Sequence, residues 1–369
     1  MFTDKNSFLK DSPLSYSAFC LAIAAAISYS AFLQFLFPTL FDPDSYYHMA
    51  VSGFIRDYGL RYSFHWAQFT VFKDFFADKD FLFHVTIIPF SIFIKDTVLA
   101  GKCAVIFYNV IFIFIYAFIL KRYLPAFLAG LFLLLPLLSF TFTCFFIQLR
   151  PFLLCNIFAV LGIYCLINKK YRQLFILSLL YPLTHISFFM LIVYALICEG
   201  IRYLLTKEVY FKSLCAVVIG TLLGCFLHPN FPNNLLIFHL NSVLVPLYTL
   251  QGIDLTFGSE FISKTTKIAL FDNFAVFLAL NIVLWLGLLK KTKASLATCV
   301  WLACASLYLV LSFLSNRYWY PANTIFFIFL AAYVNDWISA KKGQDVLPGI
   351  SAILRLSISF TLIFIHLNI

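Results

Sequence analysis

Residues 98–120 read VLAGKCAVIFYNVIFIFIYAFIL, an apolar run broken only by Lys102 and Asn109. It is long enough to cross the hydrocarbon of a bilayer as one helix, which takes about 20 residues. Runs of the same kind recur along the chain, roughly at 14–40, 123–142, 150–168, 172–205, 210–228, 271–289, 294–315, 318–336 and 350–367. Across all 369 residues 63% are hydrophobic and only 11% charged, against about 45–50% and 25% in soluble domains. Forty-seven phenylalanines leave too little polar surface to coat a globule in water. A cytosolic enzyme, a secreted disulfide scaffold and a disordered chain are excluded on composition.

Charge sets the expected orientation. Lys121/Arg122, Lys169/Lys170/Arg172, Arg202/Lys207/Lys212, Lys290/Lys291/Lys293 and Lys341/Lys342 fall between apolar runs or near their ends. They share one side if the N-terminus is cytoplasmic and the shorter stretch 81–95 lies along the outer interface, as the positive-inside rule favours. Pro182 and His185 should split 172–205 into two helices. The expectation is an all-α polytopic protein of about eleven transmembrane helices, a single domain over 1–369 with no soluble part. Outer segments 41–97 and 229–270 should meet over one face. The net charge of +10 is read as cytoplasmic loop charge meeting anionic lipid, with no nucleic-acid partner. The ten cysteines contain no C-x-x-C pair and read as small buried hydrophobes. The first run, with no small-residue cleavage site, reads as an anchor in the plasma or inner membrane.

The chemistry concentrates after that first run, in Phe41-Asp42-Pro43-Asp44-Ser45-Tyr46-Tyr47-His48. Pro43 should end the span and set two carboxylates on a turn at the outer boundary. Such a pair suits a hard divalent cation or a general base; the plain alternative is that Asp44 caps a helix beginning at Ser45. Residues 54–76 interleave aromatics with charges, as an interfacial helix pair would. Asp78-Lys79-Asp80 and His84 follow, either as further metal or phosphate contacts or as a solvated helix-capping turn. His185 and His228 close two helices at the outer side, where converging side chains would form a pocket.

The Asp-x-Tyr-Tyr-His of residues 44–48, placed after a first span and before an amphipathic outer segment, resembles the GT-C glycosyltransferases. The greatest likeness is to the membrane module of oligosaccharyltransferase catalytic subunits. The resemblance implies that Asp44, with Asp42, works in the catalytic pocket as base or as ligand of a divalent cation (Mg2+ or Mn2+). Related folds include both metal-using and metal-free members. It implies a polyprenyl-phosphate or -diphosphate sugar donor and a lipid, glycan or protein acceptor at the extracytoplasmic face. It further implies an arginine on a late helix at the donor phosphate. Arg317, followed by Tyr318, is that residue here, with Arg150 as a second phosphate ligand; the plain alternatives are an aromatic belt and a snorkelling arginine. Tyr47, His48, Asp78, Asp80, His84, His185, His228 and Glu260 are the remaining pocket candidates. Glu260 follows Thr256-Phe257-Gly258-Ser259, one residue out of step with the family's Thr/Ser-x-x-Glu loop. The family's second acidic motif has no counterpart after Arg150, and its Trp-Trp-Asp acceptor signature is absent. Protein N-glycosylation is therefore not implied. The rival expectations are a transporter or flippase for a lipid-linked sugar, and a non-catalytic subunit of a glycan-assembly complex.

Overall fold

The computed structural model describes residues 11–62, 64, 67–251, 253, 258, 262–289 and 294–340. The expected span at 350–367 and Glu260 lie outside the described residues. Among the described residues the secondary structure is entirely helical: α1 (Pro13–Leu36), α2 (Pro43–Tyr58), α3 (Phe72–Phe75), α4 (Phe81–Phe93), α5 (Thr97–Tyr123) and α6 (Ala126–Leu134) come first. Then follow α7 (Phe140–Phe146), α8 (Phe152–Ile167), α9 (Tyr171–Thr184), α10 (Met190–Thr206), α11 (Phe211–Phe226) and α12 (Asn233–His239). The last are α13 (Val245–Leu250), α14 (Thr266–Asp272), α15 (Phe274–Leu289), α16 (Leu296–Leu314) and α17 (Trp319–Ala340). Four are long and apolar enough to cross a membrane: α1, α5, α16, and α10 with the 3-10 turn before it. Two bent pairs raise that to as many as six. This is a helical membrane protein.

The first span stops earlier than expected. α1 ends at Leu36, and residues 37–42 form turns before Pro43 opens α2. Pro38 pushes the residue before it out of the helical region, whereas Pro43 sits at the first helical position, where its missing N–H costs nothing. The run 172–205 breaks at His185, which is extended (φ −168°, ψ 151°), while Pro182 stays inside α9. The runs 123–142 and 271–289 are not single straight helices. Residues Ala126–Leu138 meet α7 at 89°, and α14 meets Phe274–Val283 at 83°.

By internal packing the chain forms two units. One comprises residues 1–32, 109–146 and 260–369. Its core is α17, buried nearly all round from Trp319 to Tyr333, as a helix apolar on every face must be. Its two bends are fastened together: Ser139 Oγ donates to Asn273 Oδ1 at 2.7 Å, and Asn323 Nδ2 donates to the same oxygen at 3.0 Å. Nearby, Lys264 Nζ donates to Thr141 Oγ1 at 2.8 Å and to Asp272 Oδ2 at 2.5 Å.

The other unit comprises residues 33–108 and 147–259. Here α8, α9, α10 and α11 pack together, and α2 lies on α4. Gly220-Thr-Leu-Leu-Gly224 on α11 lets the α9 backbone close in. A Cβ at Gly220 would come within 2.7 Å of the Phe175 carbonyl oxygen, and one at Gly224 would collide with that of Leu179. Small residues four apart are how helices approach closely where lipid supplies no hydrophobic drive. On α2, buried Ser45, His48, Met49, Ser52 and Ile55 recur at helical spacing along one face. Val51, Ile55 and Phe81 make the apolar seat on which α2 and α4 meet.

Chain direction sorts the polar ends of this unit. The turn between α8 and α9 and the turn between α10 and α11 carry the basic residues, several over tyrosine rings. Lys170 lies 4.8 Å from the Tyr164 centroid, Lys207 5.4 Å from Tyr203 and Lys212 5.8 Å from Tyr171. Arg202 differs from its neighbours in being buried. It pairs with Glu199 at 3.0 Å and donates to the Leu166 carbonyl at 2.9 Å. Arg150, His185 and His228 sit at the other ends of these helices.

Candidate functional site

Two clusters meet at that second end, and both lie within the unit of residues 33–108 and 147–259. The first is built on the start of α2. Asp42 precedes the helix in extended conformation (φ −140°, ψ 158°) and makes no capping bond. Instead its carboxylate accepts from Arg150 Nε at 2.7 Å and from the Ser45 hydroxyl. Ser45 Oγ in turn accepts the Leu149 N–H at 3.0 Å, pinning the loop before α8 to α2. Arg150 Nη2 reaches Asp44 Oδ2 at 2.9 Å. One guanidinium thus bridges two carboxylates of very different access: the Asp42 side chain is 9% exposed and that of Asp44 55%. Asp44 is therefore no helix cap; it is an accessible carboxylate held by a fork that is itself anchored on a buried acid. Arg150, read from the sequence as a phosphate ligand or a snorkelling residue, holds the acids.

The second cluster lies one turn along α2. His48 Nδ1 and His84 Nε2 are 2.7 Å apart, and His84 Nδ1 is 2.7 Å from Asp78 Oδ2. Asp78 accepts, so His84 carries its proton on Nδ1 and presents the lone pair of Nε2 to the Nδ1–H of His48; these tautomers follow from the partners. Tyr47 lays its ring edge-on to His48 at 5.2 Å and to His84 at 6.1 Å. Asp80 opens α4, buried, its N–H donating to Asp78 Oδ1 at 3.1 Å. His185 accepts the Ser187 N–H on Nδ1 at 3.1 Å, which leaves the proton on Nε2, 3.8 Å from Asp80 Oδ1. His228 accepts the Asn230 N–H on Nδ1 at 3.1 Å and donates from Nε2 to the Asp78 carbonyl at 3.1 Å.

The electrostatics follow from burial. Removal from water pushes the Asp80 carboxyl up to about 6 against the pull of Lys79 and His84. Burial holds His48 well below the usual imidazole range, and the His84 ring beside it acts in the same direction. Burial also lowers His228, opposed by the charge of Asp78. The Tyr47 phenol is raised by burial and then by Asp78, Asp80 and Asp44. Tyr62, which the motif reading passed over, is raised by burial and then by Asp78.

Of the residues singled out in the sequence, Asp42, Asp44 and Arg150 come together, and Tyr47, His48, Asp78, Asp80, His84, His185 and His228 come together beside them. Arg317 and Tyr318 belong to the other unit, where Arg317 Nη2 donates to Tyr318 Oη at 3.3 Å and its guanidinium lies 5.1 Å from that ring. Ser45 and Asn230 are the residues the motif reading missed. Ser45 stood inside the quoted motif, and Asn230 beside His228. Both act on groups more than 100 residues away, which spacing does not reveal.

The implied cation fits the Asp42/Asp44 pair poorly. Arg150 already occupies an oxygen of each carboxylate, so a cation there would have to compete with its guanidinium. Neither a protein-family model nor a curated protein matches this chain. The likeness of residues 44–48 to the GT-C enzymes stands on the motif and its setting alone.

Proposed function

We propose that this protein is an integral membrane glycosyltransferase of the GT-C kind. In this reading it has about eleven transmembrane helices, a cytoplasmic N-terminus and its site on the extracytoplasmic face. It moves a sugar from a polyprenyl-phosphate or -diphosphate to a lipid, glycan or protein acceptor. The observation that carries the reading is the Asp44 carboxylate: accessible, immobilised by Arg150, and set at the end of a helical unit opposite its basic turns. The segregation of Lys169, Lys170, Lys207 and Lys212 from the acids supports the orientation through the positive-inside rule.

The chemistry divides among the residues as follows. The acceptor heteroatom attacks the anomeric carbon and passes its proton to Asp44, while the carbon–oxygen bond to phosphate breaks and its electron pair leaves with the phosphate. The transition state is oxocarbenium-like and gains from a carboxylate at the attacking atom. Arg150, tied down by Asp42, keeps that carboxylate aimed without reorganisation. Charge growing on the leaving phosphate calls for a guanidinium, the part the resemblance gives to Arg317. The apolar helix faces suit an isoprenoid tail.

In membranes supplied with a radiolabelled polyprenyl-linked sugar, Asp44→Asn at equal expression should cut transfer by at least about 100-fold, the usual weight of a general base. Unchanged transfer would remove Asp44 from the chemistry. One observation favours a second reading: the helix pairs bent at Ser139 and Asn273 would suit a transporter, which lines a polar path with broken helices. A flippase would move the label across the bilayer with its sugar–phosphate bond intact.

A further inference from the structure

The His/Asp cluster around His48 has features that the glycosyl-transfer reading does not use. Asp80 Oδ1 is buried yet has no hydrogen-bond partner among the described residues. A carboxylate oxygen withdrawn from water and left unmatched costs heavily unless a cation meets it. His185, at 3.8 Å, is beyond hydrogen-bond reach of it. Beside this carboxylate two imidazole nitrogens face each other at 2.7 Å with only a proton between them. Ligand atoms of His48, Asp80 and His84 all lie within 4.8 Å of one another. We infer that His48 Nδ1, His84 Nε2 and the Asp80 carboxylate form a site for a first-row transition-metal ion of the zinc class.

The donor set selects that class. Two imidazoles and one carboxylate are the ligands of borderline ions, whereas Mg2+ and Ca2+ take oxygen. The surroundings already have the form of a second shell. Asp78 accepts from His84 Nδ1, which fixes the tautomer whose Nε2 is free to ligate, the carboxylate–histidine–metal arrangement. His185, with its proton on Nε2, lies 3.8 Å from Asp80 Oδ1, where a small shift would let it steady the ligating carboxylate. On binding, the ion takes the place of the proton between His48 and His84, and the His48 proton moves to Nε2. Nitrogen–metal bonds near 2.1 Å would set the two nitrogens roughly 3.3 Å apart, so each ring needs to withdraw by only a few tenths of an ångström. Three protein ligands leave a fourth position for water or substrate. With Asp78 and Asp80 both buried as acids, a divalent ion also balances the charge of the cluster.

The test reads metal content and needs no sugar transfer, so it can fail or succeed independently of the proposed activity. The full-length protein, purified in detergent and stripped with chelator, is dialysed against Zn2+, and its metal is counted by elemental mass spectrometry. About one zinc per chain is expected in the wild type and in the exposed-acid control Asp57→Asn. It should be lost in His84→Ala and in Asp80→Asn, and held about 10- to 100-fold more weakly in Asp78→Asn. Because His84→Ala opens a cavity, melting is followed in parallel. Zn2+ should raise the melting temperature of the wild type and leave that of the near-isosteric Asp80→Asn unmoved. Equal zinc in wild type and Asp80→Asn, or a wild type that binds none, would overturn the site. So would equal retention of Mg2+.

Discussion

Arg150 carries the largest structural consequence of any single side chain at the site. It is 11% exposed and is the cation of the 9%-exposed Asp42. Removing one partner of a buried pair leaves the other charge uncompensated, at about 3–5 kcal/mol. Arg150→Ala should therefore lower unfolding stability by roughly that amount, as measured by denaturation in detergent. The double variant with Asp42→Asn should recover part of it, and full additivity of the two would show that they do not act as a pair. His228 makes stability depend on pH. Its folded form is neutral, accepting from Asn230 and donating to Asp78. Because burial lowers its pKa, its contribution is fully present above about 6.5 and is lost as pH falls from there towards the lowered folded value. Wild-type melting temperature should fall between pH 7.5 and 5.5, and by less in His228→Asn; an identical fall in both would acquit His228. The sequence showed which residues were costly near a membrane, but not their pairings. His48 and His84 lie on different helices, and His228 reaches back to the Asp78 carbonyl across the fold. The part Arg150 plays was equally hidden, since snorkelling, phosphate binding and acid binding look alike in one dimension.

At the scale of elements, apolar length was the legible quantity and bends were not. The breaks at Ser139 and Asn273 fall inside continuous apolar runs, and the hydroxyl and amide that fasten them to each other are over 100 residues apart. The earlier end of α1 has a simpler cause: Pro38 stops the span, whereas Pro43, which could have done so, opens α2 instead. Close approach of α9 and α11 depends on Gly220 and Gly224. Gly224→Leu should cost more than the 1–3 kcal/mol of ordinary overpacking, because the obstacle is backbone and cannot rotate away. Gly53→Ala on α2, where an added Cβ meets nothing within 4 Å, should be neutral or stabilising by about 0.5–1 kcal/mol. Thermal melts of the two variants side by side check this. Equal melting temperatures would mean that α9 and α11 are not held by the glycine contact.

For the molecule as a whole, composition alone required a membrane, and the structure agrees in being helical and apolar. In the proposed orientation the basic turns face the cytoplasm. A reporter fused after Lys170 should signal from the cytoplasm, and an external signal would reverse the topology. What composition could not convey is that the acids and histidines gather at the far ends of the same helices, because that depends on how α2 and α4 fold over the bundle. In the proposed function this gathered site breaks a sugar–phosphate bond. That step is tested most directly by the chemical fate of a doubly labelled polyprenyl-linked sugar given to the purified protein in lipid nanodiscs with candidate acceptors. Sugar label should part from lipid label in the wild type and stay joined to it in Asp44→Asn. Labels that remain joined in the wild type, with every acceptor class supplied, would contradict it and leave the transport reading in its place.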